Sequence, residues 1–267
     1  MFKFLIPTSW RRKRILSQPF PEHWEVMLAQ QALYIALSSQ EQAQLKDLIK
    51  IFLDEKSIEG CAGLEITDEI RITIAAHACV LLLGRETDIY PNCATILVYP
   101  DAYIAKGTAM GPGGVLIETT QVRSGESWQG AFAPQSGGPV VLSWRAVKRS
   151  AHCPLDGSNV VFHEFAHQLD SEAGGMDGAP RLERQGQYLP WARVLGSEYQ
   201  SLAESIRKGQ PTFINPYGAT NPAEFFAVCT ELFFERGREM KARHPELYQQ
   251  LADFYKQDPA SRVLCDS

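Results

Sequence analysis

Residues 159–175 read NVVFHEFAHQLDSEAGG, and the stretch from Val160 to Leu169 constrains the fold more than any other. Val160, Val161, Phe162, Phe165, Ala166 and Leu169 cover most of a helix circumference, so a helix here must be enclosed by other elements on nearly every side. Yet the same few turns carry His163, Glu164 and His167. A polar group taken out of water without a partner is costly, so two imidazoles and a carboxylate in such a helix need something that satisfies them together. Residues four apart share a helix face, which lets His163 and His167 aim both rings at one point. Glu164, about 100° further round, can reach a group held there without ligating it. The spacing is H-E-x-x-H, and a divalent metal with its water would satisfy all three side chains. Asp170, three residues past His167 on the same face, either orients a ligand imidazole or is a polar residue near the helix end.

A catalytic zinc site takes three protein ligands and keeps a fourth position open. The longer metzincin pattern needs Gly at 170 and His at 173; the chain has Asp170 and Ala173, which excludes it. The other histidines sit in unpromising contexts: His77 in an apolar tract, His152 in a loop, His23 and His244 beside turn-like or charged residues. A carboxylate on a second helix is the natural alternative, and NPYGATNPAEFFAVCTELFFE, residues 215–235, supplies one. Asn221 can cap, Pro222 suits the first helical position, and Phe225, Phe226, Val228, Leu232 and Phe233 bury the helix. Glu224 projects from its first turn, although Asn221 and Glu224 also stand at capping-box spacing. Glu231, on the same face, is a competitor or a partner to a ligand, and Glu172 and Asp177 close after the histidines are further candidates.

Around these segments the pattern is mixed. A helix is expected within PFPEHWEVMLAQ (19–30), and another in 38–56, with Leu45, Leu48, Ile49 and Phe52 on one face. A third opens at Thr67 and closes at Gly84. The runs ATILVYP, GVLIETTQV, WQGAFAP and PVVLSW are short, β-prone and bounded by turn residues, which predicts a small mixed sheet. Helices return at about 158–170, 189–208, 222–236 and 244–256. Helices, then sheet, then helices predict an α+β fold, mostly helical, with the sheet next to the H-E-x-x-H helix. The expected organisation is a basic N-terminal arm at 1–20 and a single domain at 21–267, comprising a helical and sheet lobe to about 157 and a site-bearing helical lobe from about 158. PVVLSW, preceding the site helix, is either the strand that pairs with an extended peptide or a fully interior strand.

The net charge of −5 gives no reason to expect direct nucleic-acid binding. Five of the 26 basic residues fall before residue 15, leaving 21 against 31 acidic ones. That start is a poor signal peptide, because the positive cluster follows the apolar run, and it reads as a solvated terminus or a docking arm. No stretch approaches the roughly 18 apolar residues of a membrane span. Six cysteines without a C-x-x-C pair suggest reduced thiols in a cytoplasm. Cys79 and Cys229, inside apolar helical patterns, read as small core residues.

HEFAHQLD together with YGATNPAEFF resembles the zinc peptidase centre of the Mlc titration factor A family and, more distantly, that of anthrax lethal factor. The first likeness extends over nearly the whole chain, including WRRKRIL and QPFP near the start; the second is confined to the two motifs. The resemblance implies a zincin-like metallopeptidase with one Zn2+ per chain, His163, His167 and Glu224 as ligands, Glu164 as the catalytic carboxylate and Tyr217 as a donor to the transition state. It also implies aminopeptidase-like cleavage of peptides and a protein partner, the Mlc repressor of glucose-uptake genes. A non-catalytic, repressor-binding regulator with a vestigial or structural zinc site is the alternative.

Overall fold

The two segments that the sequence marks as apolar all round become the centre of the molecule. In the computed structural model, residues 7–101, 138–152 and 156–262 are described in full, and 103–110, 116–123 and 125–127 by their backbone. Eleven α-helices are present among them: α1 (Thr8–Leu16), α2 (Glu22–Leu28), α3 (Ala32–Ile35), α4 (Ser39–Glu55), α5 (Asp68–Val80), α6 (Trp144–His152), α7 (Val160–Ser171), α8 (Tyr188–Arg207), α9 (Pro222–Glu235), α10 (Gly237–Arg243) and α11 (Pro245–Tyr255). The strands are β1 (Ser57–Gly60), β2 (Thr95–Tyr99), β3 (Tyr103–Met110), β4 (Leu116–Arg123), β5 (Gly125–Ser127) and β6 (Val140–Ser143). The fold is α+β, mostly helical, with a small sheet.

Each central helix starts on a side-chain cap. Thr67 accepts from the Ile70 N–H at the head of α5, Asn159 from Phe162 at α7, and Asn221 from Glu224 at α9. Aromatic contacts then lock α7 from two sides. Phe165 packs between Tyr90 and Phe52, with ring centroids 4.6 and 5.8 Å away, and Phe162 between His77 and Phe234, at 5.4 and 5.1 Å. On α9, Phe226 meets Trp191 of α8 and Phe254 of α11. α4 carries a complete capping box between Ser38 and Glu41 and buries Leu45, Ile49 and Phe52, while Leu48 is only half-buried. Cys79 and Cys229 are fully buried free thiols, as expected of core residues.

The sheet runs β1-β2-β6-β5, with the first three strands parallel and β5 antiparallel on β6; β3 and β4 form a separate antiparallel pair. α7 lies against β5 and β6. The sheet decides between the two readings of 139–144 in favour of the interior strand. β6 pairs with β2 over residues 140–143 and with β5 over 140–142, so 140–142 have no free edge to offer a peptide, and all four residues of the strand are buried. The expected run at 128–134 lies outside the described residues. β1, β3 and β5 went unforeseen; β1 has one buried side chain in four residues, too short for alternation to show.

Among the helices, α5 ends at Val80, and the chain turns through Leu81–Leu83 to Gly84. Gly84 has φ +74°, and a Cβ there would lie 2.9 Å from the Lys256 carbonyl oxygen, so glycine allows the close approach to the end of α11. His152 belongs to α6 rather than a loop; α6 buries Val147 and Ser150. Over Thr8–Leu16 the basic start is a helix with no buried residue, held by ion pairs. Arg11 pairs with Asp54 at 2.8 Å and Arg12 with Glu55 at 2.7 Å and with Asp88, tying α1 to the acidic end of α4. No helix of the described residues is long and apolar enough to cross a membrane.

Candidate metal centre

From Val161 to Ser171 every residue of α7 is buried except His163, and from Ala223 to Glu235 every residue of α9 is buried except Glu224. These two exceptions face each other. His163 Nε2 lies 3.0 Å from Glu224 Oε2, and His167 Nε2 lies 3.5 Å from the same oxygen. The ligating atoms of His163, His167 and Glu224 all fall within 4.8 Å of one another, and this is the cluster among the described residues that could hold a metal ion. Two imidazole nitrogens and a carboxylate oxygen, partly open to solvent at His163 and Glu224, fit a zinc-type site with three protein ligands.

The helix ends explain the meeting. The Asn221 cap is taken by the Glu224 N–H at 3.0 Å, but the Glu224 carboxylate turns to the imidazoles, so half of the capping-box spacing serves the cap and half the cluster. Gly178 brings α9 up to α7. Its N–H donates to Asp170 Oδ2 at 2.9 Å, its carbonyl accepts from Trp191 Nε1 at 2.9 Å, and with φ +77° a Cβ would lie 2.4 Å from the Pro222 carbonyl oxygen. One glycine thus joins α7, α8 and the start of α9 where a side chain would collide. Asp170, read as a possible support for an imidazole, holds this loop instead; burial pushes its carboxyl up to about 6 against the Gly178 hydrogen bond. Asp177 accepts from Ala179 N–H, and Glu172 faces elsewhere, so neither joins the cluster.

Glu231 accepts the hydrogen bond of His163 Nδ1 at 2.8 Å and, through its other oxygen, that of the Asn159 N–H at 2.5 Å. A carboxylate behind an imidazole fixes which nitrogen faces forward and raises its basicity. Asn159 donates from Nδ2 to Glu235 Oε1 and to His77 Nδ1, both at 2.9 Å, so a buried polar chain runs from His163 into the core. Burial lowers His77 to about 4 and raises Glu235 to about 8, leaving both neutral at pH 7. Sequence reasoning missed Asn159 and Glu235; the sign was available, since Asn159 stands at the cap position before the H-E-x-x-H helix. Nearer the cluster, burial opposes the charged imidazole of His163, but hydrogen bonds to Glu224 and Glu231 outweigh it and hold its pKa well above the ordinary value. Burial likewise opposes the Glu224 carboxylate, and the two histidines still hold it far below the usual range. His167 is lowered, mainly by burial.

Glu164 sits on the same turn as His163 and is 4% exposed. Tyr217 lies in a 3-10 turn, Pro216–Ala219, with its ring centroid 6.0 Å from that of His163 and 53% of its surface exposed. The turn is well anchored: Asn215 accepts from the Tyr217 N–H, Thr220 Oγ1 donates to the Tyr217 carbonyl, and Tyr199 of α8 donates to that of Ala219. The four remaining histidines are taken by other groups: His23 by Asp68, His77 by Asn159, His152 by the Lys148 carbonyl and His244 by Glu198.

The model of the glucose-regulated metallo-peptidase M90 family matches residues 7–256. The chain belongs to this family. The M90 match spans the site and nearly all the fold, and relatives cover similar lengths. An uncharacterized protein of Synechocystis sp. is 43% identical over 252 residues, 94% of this chain and 90% of its own. Proteins named Mlc titration factor A are 32% identical in Klebsiella pneumoniae, over 90% of this chain and 87% of theirs, and 32% in Serratia proteamaculans, over 97% and 95%. Membership of the M90 family makes the chain a metallopeptidase by descent and implies a metal, for which His163, His167 and Glu224 are a fitting set.

Proposed function

We propose that the chain is a zinc-dependent, zincin-like peptidase in which His163, His167 and Glu224 hold one zinc ion. The observation that carries this reading is the convergence of the three ligating atoms, two from α7 and one from α9, with His163 and Glu224 at the only partly open positions of otherwise buried stretches. Zinc bound there would polarise the scissile carbonyl and lower the pKa of water to about 7. Glu164 takes the proton of the attacking water and delivers it to the leaving amine. Tyr217, at the exposed rim, donates its hydroxyl hydrogen to the developing oxyanion. Glu231 holds the His163 ring with Nδ1 toward the core, which leaves Nε2 for the metal. Small aminopeptidase substrates are the first class to assay, and the free thiols suit a cytoplasmic setting. The test is zinc content and peptidase activity before and after chelation. Activity should fall at least about tenfold and return when zinc is restored; activity indifferent to chelation would refute the reading.

Tyr217→Phe should lower kcat by about 10- to 100-fold, since one oxyanion donor is lost, with zinc content unchanged. An unaltered kcat would remove Tyr217 from the chemistry.

A second reading has its own support in the relatives named Mlc titration factor A, which align over about nine-tenths of the chain. In that reading the chain also binds a repressor of the Mlc type. Against a purely non-catalytic regulator with a structural zinc stand the intact Glu164 of the H-E-x-x-H motif and the general use of four protein ligands in structural zinc sites.

A further inference from the structure

Beyond the C-terminal end of α7, a cavity of about 960 Å³ opens between the loop after α5, the loop after α7 and the faces of α8 and α11. None of His163, Glu164, His167, Tyr217 or Glu224 lines it. Two ionic side chains on its wall each present a buried polar atom with no hydrogen-bond partner among the described residues: Arg85 Nη1 and Glu172 Oε1. Leaving a buried charged donor or acceptor unmatched is costly, so both atoms ask for a partner. The Arg85 guanidinium lies 3.9 Å from the Phe254 ring centroid, and stacking at that distance fixes where its free N–H groups can point.

The charge on the wall narrows the choice of ligand. Asp88 is paired with Arg12, and Glu183 with Lys256 at 3.0 Å. What is left is Arg85 and Arg181 against Glu86, Glu172 and Asp253. A phosphate ester would meet more acid than base here, whereas a molecule carrying both signs a few bonds apart meets a counter-charge at each end. Trp191 and Phe254 add an apolar wall suited to a small side chain. We propose that this cavity binds a small zwitterion, a free α-amino acid or a short peptide, with its carboxylate on Arg85 and its ammonium on Glu172. Arg85 offers the carboxylate a planar set of donors, and the Glu172 acceptor is aligned by the end of α7, which it caps. Burial raises the Glu172 carboxyl and lowers the Arg85 guanidinium, and an ion pair with the ligand at each end reverses both tendencies.

The test uses the full chain after chelation, so that it does not depend on the metallopeptidase reading. The probes are the twenty common α-amino acids and their glycyl dipeptides, screened by the rise in Tm and followed by calorimetry. At least one probe should bind at one per chain, and its N-acetylated, amidated form should bind at least about tenfold more weakly because both charges are gone. Arg85→Met and the near-isosteric Glu172→Gln should each weaken binding by a similar factor. Tighter binding of the free amino acid than of its dipeptide, or the reverse, identifies which source the cavity serves. Absence of binding across the panel, equal binding of the uncharged form, or unchanged affinity in a folded Glu172→Gln protein would overturn the proposal. If metal-dependent activity fails in the preceding test while zwitterion binding persists here, only the peptidase reading falls.

Discussion

Glu164→Gln should reduce peptide hydrolysis by about 10²- to 10⁴-fold, the usual contribution of a general base, and leave zinc content at one per chain. The change is nearly isosteric in a residue that is 4% exposed, so the α7 packing of Phe162 and Phe165 is retained. Glu164 is also outside the ligating cluster of His163, His167 and Glu224, which is why metal and activity should separate. His163→Ala, by contrast, should lose both. Hydrolysis at the parental rate in Glu164→Gln would end the general-base assignment. The same variant addresses the repressor reading: if binding to an Mlc-type repressor is undiminished, the two activities use different surfaces or at least different groups.

The second large effect concerns the two carboxylates that flank His163. Glu224→Ala removes one of three ligands and should abolish stable zinc binding together with activity. Glu231→Gln should weaken zinc by only about 10- to 100-fold, the scale on which a carboxylate behind an imidazole acts. The geometry behind this ordering is plain. Glu224 Oε2 faces both Nε2 atoms, at 3.0 and 3.5 Å, whereas Glu231 meets only Nδ1 of His163 from the core side. Equilibrium dialysis with zinc distinguishes them; a Glu231→Gln protein without zinc beside a zinc-bearing Glu224→Ala protein would exchange their roles.

The metal cluster was legible to an unequal degree. His163 and His167 are four residues apart on one helix, so their convergence follows from helical geometry alone. The burial of α7 and α9 follows from apolar residues all round each helix, and the caps at Thr67 and Asn221 are where side chains able to accept from the first turn stand. Glu224 was different. Residues alone put it forward but left Glu231, Glu172 and Asp177 in competition, and the resemblance strengthened its place. Local pattern cannot say which carboxylate the connection from α7 through α8 will carry to the histidines. Nor could it show that Glu231 would lie behind His163, that Asp170 would hold the Gly178 loop, or that β6 would be an interior strand. β pairing is a non-local property, and an apolar four-residue run looks the same with one neighbour or two.

The sequence by itself determined the two central helices and the chemistry they carry: a buried H-E-x-x-H helix, a second buried helix with a carboxylate in its first turn, and an α+β order of elements. Those features are local, set by side chains within a few turns of one another. The tertiary structure alone decided which distant groups meet. Gly178 admits the start of α9 against α7, Asn159 links His163 through Glu231 to Glu235 and His77, and α1 folds back on α4 through Arg11 and Arg12. Each is a contact between residues far apart in the chain, chosen by the packing of whole elements, and packing is a property that no short window of residues contains.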